Sequence, residues 1–414
     1  MAERSLSSEP AEPREGIVAE GTPAIRNVSW VQAVLLIMGA WCTVLASGAL
    51  APVLPEIRDA FASAQRLDLM VGFVATMPSL AVAIFAIPIG WIADRVGLTQ
   101  VMLIGLAGFG VAGVIPFWLT SLNAIVATRF VVGIGEAAVM ITSTALIGLL
   151  FHGPRRTRWL GIQVAAANFL GIGVLLAGGI IGLWGWRAAF WIYTFGLILL
   201  IPCLFLLPRP RVARPSTGNM AVRSTPSGLW RLVIESCFLI FVGSAALYSV
   251  IVQASFLFEV RGATDSAMRG MAMAAAAAGI ALGATASGMI TKWTGFAKVR
   301  IAFLLMGVGM VAMMMADSLI TTALAAPIAG FGCGFVIPAL QSRLLSRTPA
   351  DQMGGVTGLW IAATFAGHFA NPPLFIILNS VGGSQAAAMG MMGCICLVVC
   401  ALLGFLMRTE AKPT

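Results

Sequence analysis

Two ionisable residues lie in one apolar stretch of the sequence, at a spacing that could support proton chemistry. Arg129 and Glu136 are the charged residues of the run from 122 to 150. Seven residues make about two turns of an α-helix, so both side chains share one face, roughly 10 Å apart along the axis. That separation is too long for a direct salt bridge. A charge inside a bilayer normally faces a cavity and has a partner, so we predict a functional pair.

Glu136 is the one carboxylate that the sequence places near the middle of an apolar stretch. Burial and a nearby cation act on a carboxyl group in opposite directions, and a group so balanced can bind a proton in one state and release it in another. We therefore predict proton coupling at Glu136, with Arg129 adjusting it. A purely structural buried pair is the alternative.

Several other polar residues also fall inside apolar stretches, where an unpaired amide or ring nitrogen is costly. His368 and Asn371 stand beside Pro372 and Pro373, and proline within a helix usually marks a bend beside a cavity. We predict that a substrate cavity is lined by some of these residues, with the following candidates: Gln253, His368, Asn371, Asn168, Tyr248 and Gln341.

The composition of the chain indicates whether these residues lie in a soluble protein or in a membrane protein. The chain has 414 residues, of which 59% are hydrophobic and 10% charged, whereas a soluble domain carries about 25% charged residues. A membrane helix needs about 20 mostly apolar residues. The sequence predicts an all-α membrane protein with spans at 30–54, 69–92, 100–119, 122–150, 159–183, 187–207, 230–258, 268–291, 300–316, 319–344, 355–380 and 384–407.

The distribution of Lys and Arg predicts the orientation of these spans. Most of the 25 basic residues fall in the loops on the side of the two termini, which by the positive-inside rule is the cytoplasmic side. We predict a cytoplasmic tail at 1–29, a six-helix bundle at 30–207, a cytoplasmic linker at 208–229, a second bundle at 230–408 and a tail at 409–414. The expected location is the inner (plasma) membrane.

The same composition argues against other classes of protein. No phosphate-binding loop or cluster of His, Cys and acidic residues is evident, so we predict no enzyme, no metal site and no cofactor. No basic stripe interleaves with aromatics, which excludes nucleic-acid binding. The expected partners are a small-molecule substrate, protons and the lipid bilayer, and we expect a monomer.

A glycine-flanked loop follows the second predicted span. It runs from Gly90 through Asp94 and Arg95 to Gly97, and a related pair of glycines, Gly288 and Gly295, follows the eighth span. This pattern resembles the loop between helices 2 and 3 of the major facilitator superfamily. The resemblance implies two six-helix bundles, and it implies that Gly90, Asp94, Arg95 and Gly97 form a latch that holds the cytoplasmic side closed. The family usually continues with basic residues, which this chain lacks.

Two further patterns resemble motifs of that superfamily. Arg129, Gly133 and Gly135 match its motif in helix 4, whose arginine is linked to proton coupling. The Glu that follows is similar to one in organic-anion symporters and spinster-type lipid transporters. Gly178 and Gly179 match the last two positions of a motif of proton antiporters, although close helix packing also explains them.

These observations predict a proton-coupled secondary transporter that works by alternating access. The half-matched antiporter motif and an apolar cavity favour export of drugs or hydrophobic metabolites. The context of Glu136 favours the alternative, symport of an organic anion. A more remote alternative is a membrane sensor or scaffold that does not transport.

Overall fold

The computed structural model describes residues 29–208, 228–290, 293–349 and 352–410. Within these ranges it contains twelve helices that are long and apolar enough to cross a membrane. Their bounds are α1 Trp30–Ala60, α2 Leu67–Val96, α3 Leu98–Trp118, α4 Leu122–Leu150, α5 Gly153–Gly182, α6 Trp186–Leu206, α7 Leu229–Val260, α8 Ser266–Met289, α9 Gly295–Met315, α10 Leu319–Leu345, α11 Met353–Gly382 and α12 Gln385–Phe405. The predicted twelve-span, all-helical architecture is confirmed.

Two helix boundaries differ from the prediction for physical reasons. Helix α5 begins at Gly153, before its predicted start, because the arginines after Pro154 lower the hydropathy of the first turns without preventing a helix. Helix α1 continues to Ala60 through a short 3₁₀ turn at Ala51–Val53 that contains Pro52. A hydropathy profile detects only the apolar part of a helix, so it misses the helical turns that extend beyond that part.

The helices alternate in direction, so α1 begins and α12 ends on the same side of the molecule. We call this side the terminal face and the opposite side the distal face. Helix α4 packs against α1, α2 and α3, and α10 packs in the same way against α8 and α9. The two halves meet along two seams, between α2 and α11 and between α5 and α8. The predicted tails and linker lie mostly outside the described residues, so those boundaries stay predictions.

Close packing between α8 and α10 requires residues without side chains. A Cβ atom added at Gly334 of α10 would meet the backbone of Ile280 in α8, and one at Gly330 would meet the backbone of Ala276. Without a hydrophobic driving force between helices in lipid, such close approach is a main source of association.

We expect the substitution Gly334→Ala to destabilise the protein by about 1–3 kcal/mol, because a backbone atom cannot move aside as a side chain can. The measurement is the melting temperature of purified protein in detergent. The matched control is Gly108→Ala in α3, where no atom lies within 4 Å of the added Cβ. Equal melting temperatures for the two variants would contradict the importance of the α8–α10 contact.

Candidate functional site

Arg129 is completely buried in α4 and is bonded to backbone carbonyls of two other helices. Its Nε donates to the carbonyl oxygen of Val74 in α2 at 3.1 Å, and its Nη2 donates to the carbonyl oxygen of Ala46 in α1 at 2.7 Å. Nη2 also donates to the hydroxyl oxygen of Tyr193 in α6 at 2.7 Å. The guanidinium lies over the Tyr193 ring, 4.5 Å from its centroid.

Both of these carbonyls lack the partner that a continuous helix would supply. The carbonyl of Val74 would normally accept from residue 78, but Pro78 has no N–H. The carbonyl of Ala46 lies in the last turn of the first segment of α1, which ends at Gly48. Arg129 therefore joins α1, α2, α4 and α6. Its bond to Val74 satisfies a carbonyl that would otherwise be unpaired, whereas the carbonyl of Ala46 also accepts from the Tyr193 hydroxyl.

Glu136 is also buried, with 3% of its surface exposed. Among the residues that the structure describes, its carboxyl group makes no hydrogen bond and no ion pair with Arg129. The neighbouring Gly133 and Gly135 explain why the helix is so closely surrounded, since a Cβ at these positions would meet the backbones of α2 and α3. The charged groups of Arg129 and Glu136 therefore do not contact each other. Within the described residues, the carboxyl group of Glu136 has no hydrogen-bond donor in this conformation.

A cavity of about 1180 Å³ lies between the two halves. Along α5 it extends from Gly153 at the terminal face to Leu175, about three quarters of the way along the helix, roughly 33 Å at the rise of an α-helix. It is lined mostly by apolar side chains from both halves, among them Val44, Leu160, Val164, Leu247, Ile280, Ile337 and Phe365. Four of the predicted cavity residues are in the lining: Asn168, Tyr248, Gln341 and His368.

His368 and Tyr248 form the most distinctive polar group of the cavity. Their rings are stacked with centroids 3.9 Å apart, and the Tyr248 hydroxyl lies 3.4 Å from the Ser79 hydroxyl of α2, in the other half. Within the described part of the chain, neither ring nitrogen of His368 has a hydrogen-bond partner. An imidazole at a cavity wall with both nitrogens buried and unpaired is costly, so a polar group of a substrate that reached it would be stabilised.

Gln253 and Asn371, the other two predicted cavity residues, do not line the cavity in this conformation. Asn371 is fully buried and donates to the carbonyl of Ala245 at 2.9 Å and to the hydroxyl of Ser249 at 2.8 Å. Gln253 donates to Asn371 at 3.1 Å and accepts from Gln385 of α12 at 3.3 Å. These amides hold α7, α11 and α12 together where α7 changes to a π-helical turn at Ser249–Gln253.

The distal face is closed by contacts between the halves that the sequence did not predict. Arg269 of α8 forms an ion pair with Glu56 of α1 and donates to the carbonyl oxygen of Pro52 at 2.8 Å. Arg58 of α1 forms a second ion pair with Glu259 of α7 at 3.0 Å. Sequence spacing gives no signal for these pairs, because their members are about two hundred residues apart.

The glycine-flanked loop is open to solvent at the terminal face. Asp94 and Arg95 are exposed, and in the described residues neither makes an ion pair. Gly97 adopts φ +110° where α2 ends and α3 begins, which explains why a glycine is needed there. No atom lies close to the Cβ position of Gly90. The predicted latch is therefore not engaged in this conformation, in which the cavity opens to the terminal face.

Comparison with known proteins agrees with this architecture. Residues 36–372 match the Major Facilitator Superfamily. An uncharacterised MFS-type transporter, YceJ of Bacillus subtilis, is 28% identical over 77% of this chain and 81% of its own length. The multidrug efflux pump LfrA of Mycolicibacterium smegmatis is 27% identical over 48% of this chain, but the match covers only 40% of the pump.

Solved structures share the fold at low sequence identity. A D-xylose–proton symporter superposes with a TM-score of 0.75 at 17% identity, covering 91% of this chain and 97% of its own. A bacterial homologue of the human lysosomal transporter Spinster, in an inward-facing and unoccupied conformation, has a TM-score of 0.71 at 16% identity, with coverages of 91% and 96%. The chain therefore belongs to the major facilitator superfamily and is a multi-pass membrane transporter, not an enzyme.

Proposed function

We propose that this chain is a proton-coupled secondary active transporter that exports drugs or hydrophobic metabolites by alternating access. The observation that carries the proposal is the large apolar cavity between the halves, open at the terminal face and closed at the distal face. A cavity of this volume and lining suits a drug-sized organic solute. Export is further supported by the similarity to a protein named a multidrug efflux pump.

The cavity faces the cytoplasm in this conformation if the terminal face is cytoplasmic, as the distribution of Lys and Arg predicts. The solute would then enter the cavity from the cytoplasmic side. Closing of the terminal face, with Asp94 and Arg95 in the latch, and opening of the distal face would release it outside.

Glu136 is the proposed proton carrier. An ionised carboxylate without a hydrogen-bond donor is costly in an apolar surrounding. Release of the proton therefore requires a second conformation that hydrates Glu136 or supplies it with a donor. Such a difference between two conformations is what couples a proton to alternating access.

Symport of an organic anion is the second candidate. Among the residues that line the cavity, Arg156 is charged and positive, and none is acidic. This observation favours an anionic solute over a cationic one, and it is compatible with either direction of transport.

The substitution Glu136→Gln tests the coupling. In proteoliposomes with an imposed pH gradient, we expect the variant to lose gradient-driven accumulation at least tenfold, while exchange of solute without a gradient continues. The amide keeps the size of the carboxyl group but cannot lose a proton at working pH.

The control for this experiment is Asp317→Asn, which removes an exposed carboxylate between α9 and α10. It should accumulate solute as the wild type does. Full gradient-driven accumulation by Glu136→Gln would show that Glu136 is not the proton carrier. A panel of anionic, neutral and cationic solutes in the same assay separates the two candidate functions.

A further inference from the structure

The two seams between the halves differ near the terminal face. Along α2 and α11, Phe73 stacks on Phe369 with ring centroids 5.0 Å apart in the distal part of α2. Towards the terminal face, Ile87 reaches the Cβ position of Gly358. Helix α2 contributes no residue to the cavity lining. This seam is a closed wall on one side of the cavity.

Helices α5 and α8 touch mainly in their distal halves. A Cβ at Gly179 would meet the backbones of Ser266 and Gly270, and one at Gly182 would meet Ser266. Towards the terminal face the residues of α8 that face this seam line the cavity, and they include Ala284 and Gly288. A Cβ at Gly288 would lie in open space.

The cavity reaches the outer surface of the bundle along α5. Thr157, Gly161 and Ala165 line the cavity and also line a shallow depression on the outside, which continues to Ile162. These three residues are exposed and small. The inner and outer surfaces are therefore continuous here, with no bulky side chain between them.

Positive charges lie at the terminal end of this opening, and uncharged polar groups lie deeper in the cavity. The first turns of α5, at the terminal face, carry three exposed arginines, Arg155, Arg156 and Arg158. In the described residues none of them makes an ion pair. Deeper in the cavity, polar side chains cluster against apolar walls: Thr43, Ser47, Asn168, Tyr248 and His368.

We propose that the substrate is a single-chain amphiphile with an anionic head group, and that it enters sideways from the lipid leaflet at the terminal face. Arg156, which lines the cavity, binds the head group, and the head group then moves between the terminal halves of α5 and α8 to the polar cluster containing His368. The alkyl chain passes over Gly161 and Ala165 and stays in contact with lipid. This proposal rests on the proposed transport function and names its substrate class and route.

The route is tested by filling the opening. The probe is NBD-labelled lysophosphatidylglycerol in proteoliposomes with a pH gradient, and its transbilayer movement is followed by dithionite quenching. We expect Gly161→Trp to slow this movement at least tenfold. The matched control is Gly173→Trp on the same helix, which is also exposed with open space at its Cβ position but does not line the cavity. It should stay within twofold of the wild type.

The head-group charge is tested by a second pair of variants that does not alter packing. We expect Arg156→Gln to raise the KM for the anionic probe about fivefold, since one basic residue at a membrane surface contributes about that factor. The KM for NBD-labelled lysophosphatidylcholine, which has no net charge, should stay unchanged. Arg155→Gln, next to it but outside the cavity lining, should change the KM for either probe less than twofold.

Four results would overturn the proposal. Equal rates for Gly161→Trp and Gly173→Trp, with both variants folded by melting temperature, would exclude the route. Equal responses of the two probes to Arg156→Gln would exclude the anionic head group. A wild type that moves no amphiphile but accumulates water-soluble solutes would exclude the substrate class while the proposed function stands. A wild type that carries neither would overturn both.

Discussion

Replacing Arg129 by methionine should destabilise the first six-helix bundle strongly, by about 3–5 kcal/mol. Methionine fits the space of the apolar stem, but it leaves the carbonyl of Val74 without a donor in a water-free interior and removes one of the two donors to the carbonyl of Ala46. Tyr193 would still donate to Ala46. The unpaired carbonyl of Val74 should therefore contribute most of the destabilisation, because Pro78 has no N–H to act as its helical partner. The melting temperature and the yield of monodisperse protein in detergent measure the effect.

The control for this substitution is Arg187→Met. Arg187 also donates to a backbone carbonyl, that of Leu119 at 3.1 Å, but it is only half-buried. Water can replace its hydrogen bond, so we expect Arg187→Met to destabilise the protein by no more than about 1 kcal/mol. If Arg129→Met had the same melting temperature as the wild type and yet failed to transport, the arginine would serve the transport cycle and not the packing of the bundle.

Replacing Arg269 by glutamine should shift the protein towards a conformation that is open at the distal face. Arg269 is buried and connects α8 to Glu56 and Pro52 of α1. The substitution removes this ion pair between the halves and leaves the carboxylate of Glu56, which is one third exposed, without its partner. A change of about 2 kcal/mol in favour of the distally open state corresponds to a factor of roughly thirty in the equilibrium.

Hydrogen exchange measures this shift directly. In Arg269→Gln we expect faster amide exchange in the segment Leu54–Ala60 and at the start of α8, and slower exchange at the terminal ends of α5 and α8. The control is Arg66→Gln, which removes an exposed positive charge from the same face. Unchanged exchange in Arg269→Gln would mean that the ion pair does not hold the distal face closed.

The sequence determined the elements of this protein almost completely. A membrane helix is recognised from local composition, and all twelve spans were predicted because each buries its own backbone hydrogen bonds. The positions of Arg129 and Glu136 within α4 were also predictable, since two charges in an apolar run stand out. Four of the six predicted cavity residues line the cavity, because polar residues in such runs are few.

Only the tertiary structure decided which groups face one another. Periodicity placed Arg129 and Glu136 on one face, but it could not reveal that Val74, Ala46 and Tyr193 accept hydrogen bonds from the arginine. The amide network of Gln253 and Asn371 depends on a π-helical turn in α7, for which local composition carries no signal. Pairing between helices is a property of distances between residues far apart in the chain. Composition and spacing along the chain therefore specify which segments span the membrane. The packing of the helices specifies the contacts that close the distal face, the cavity and its opening.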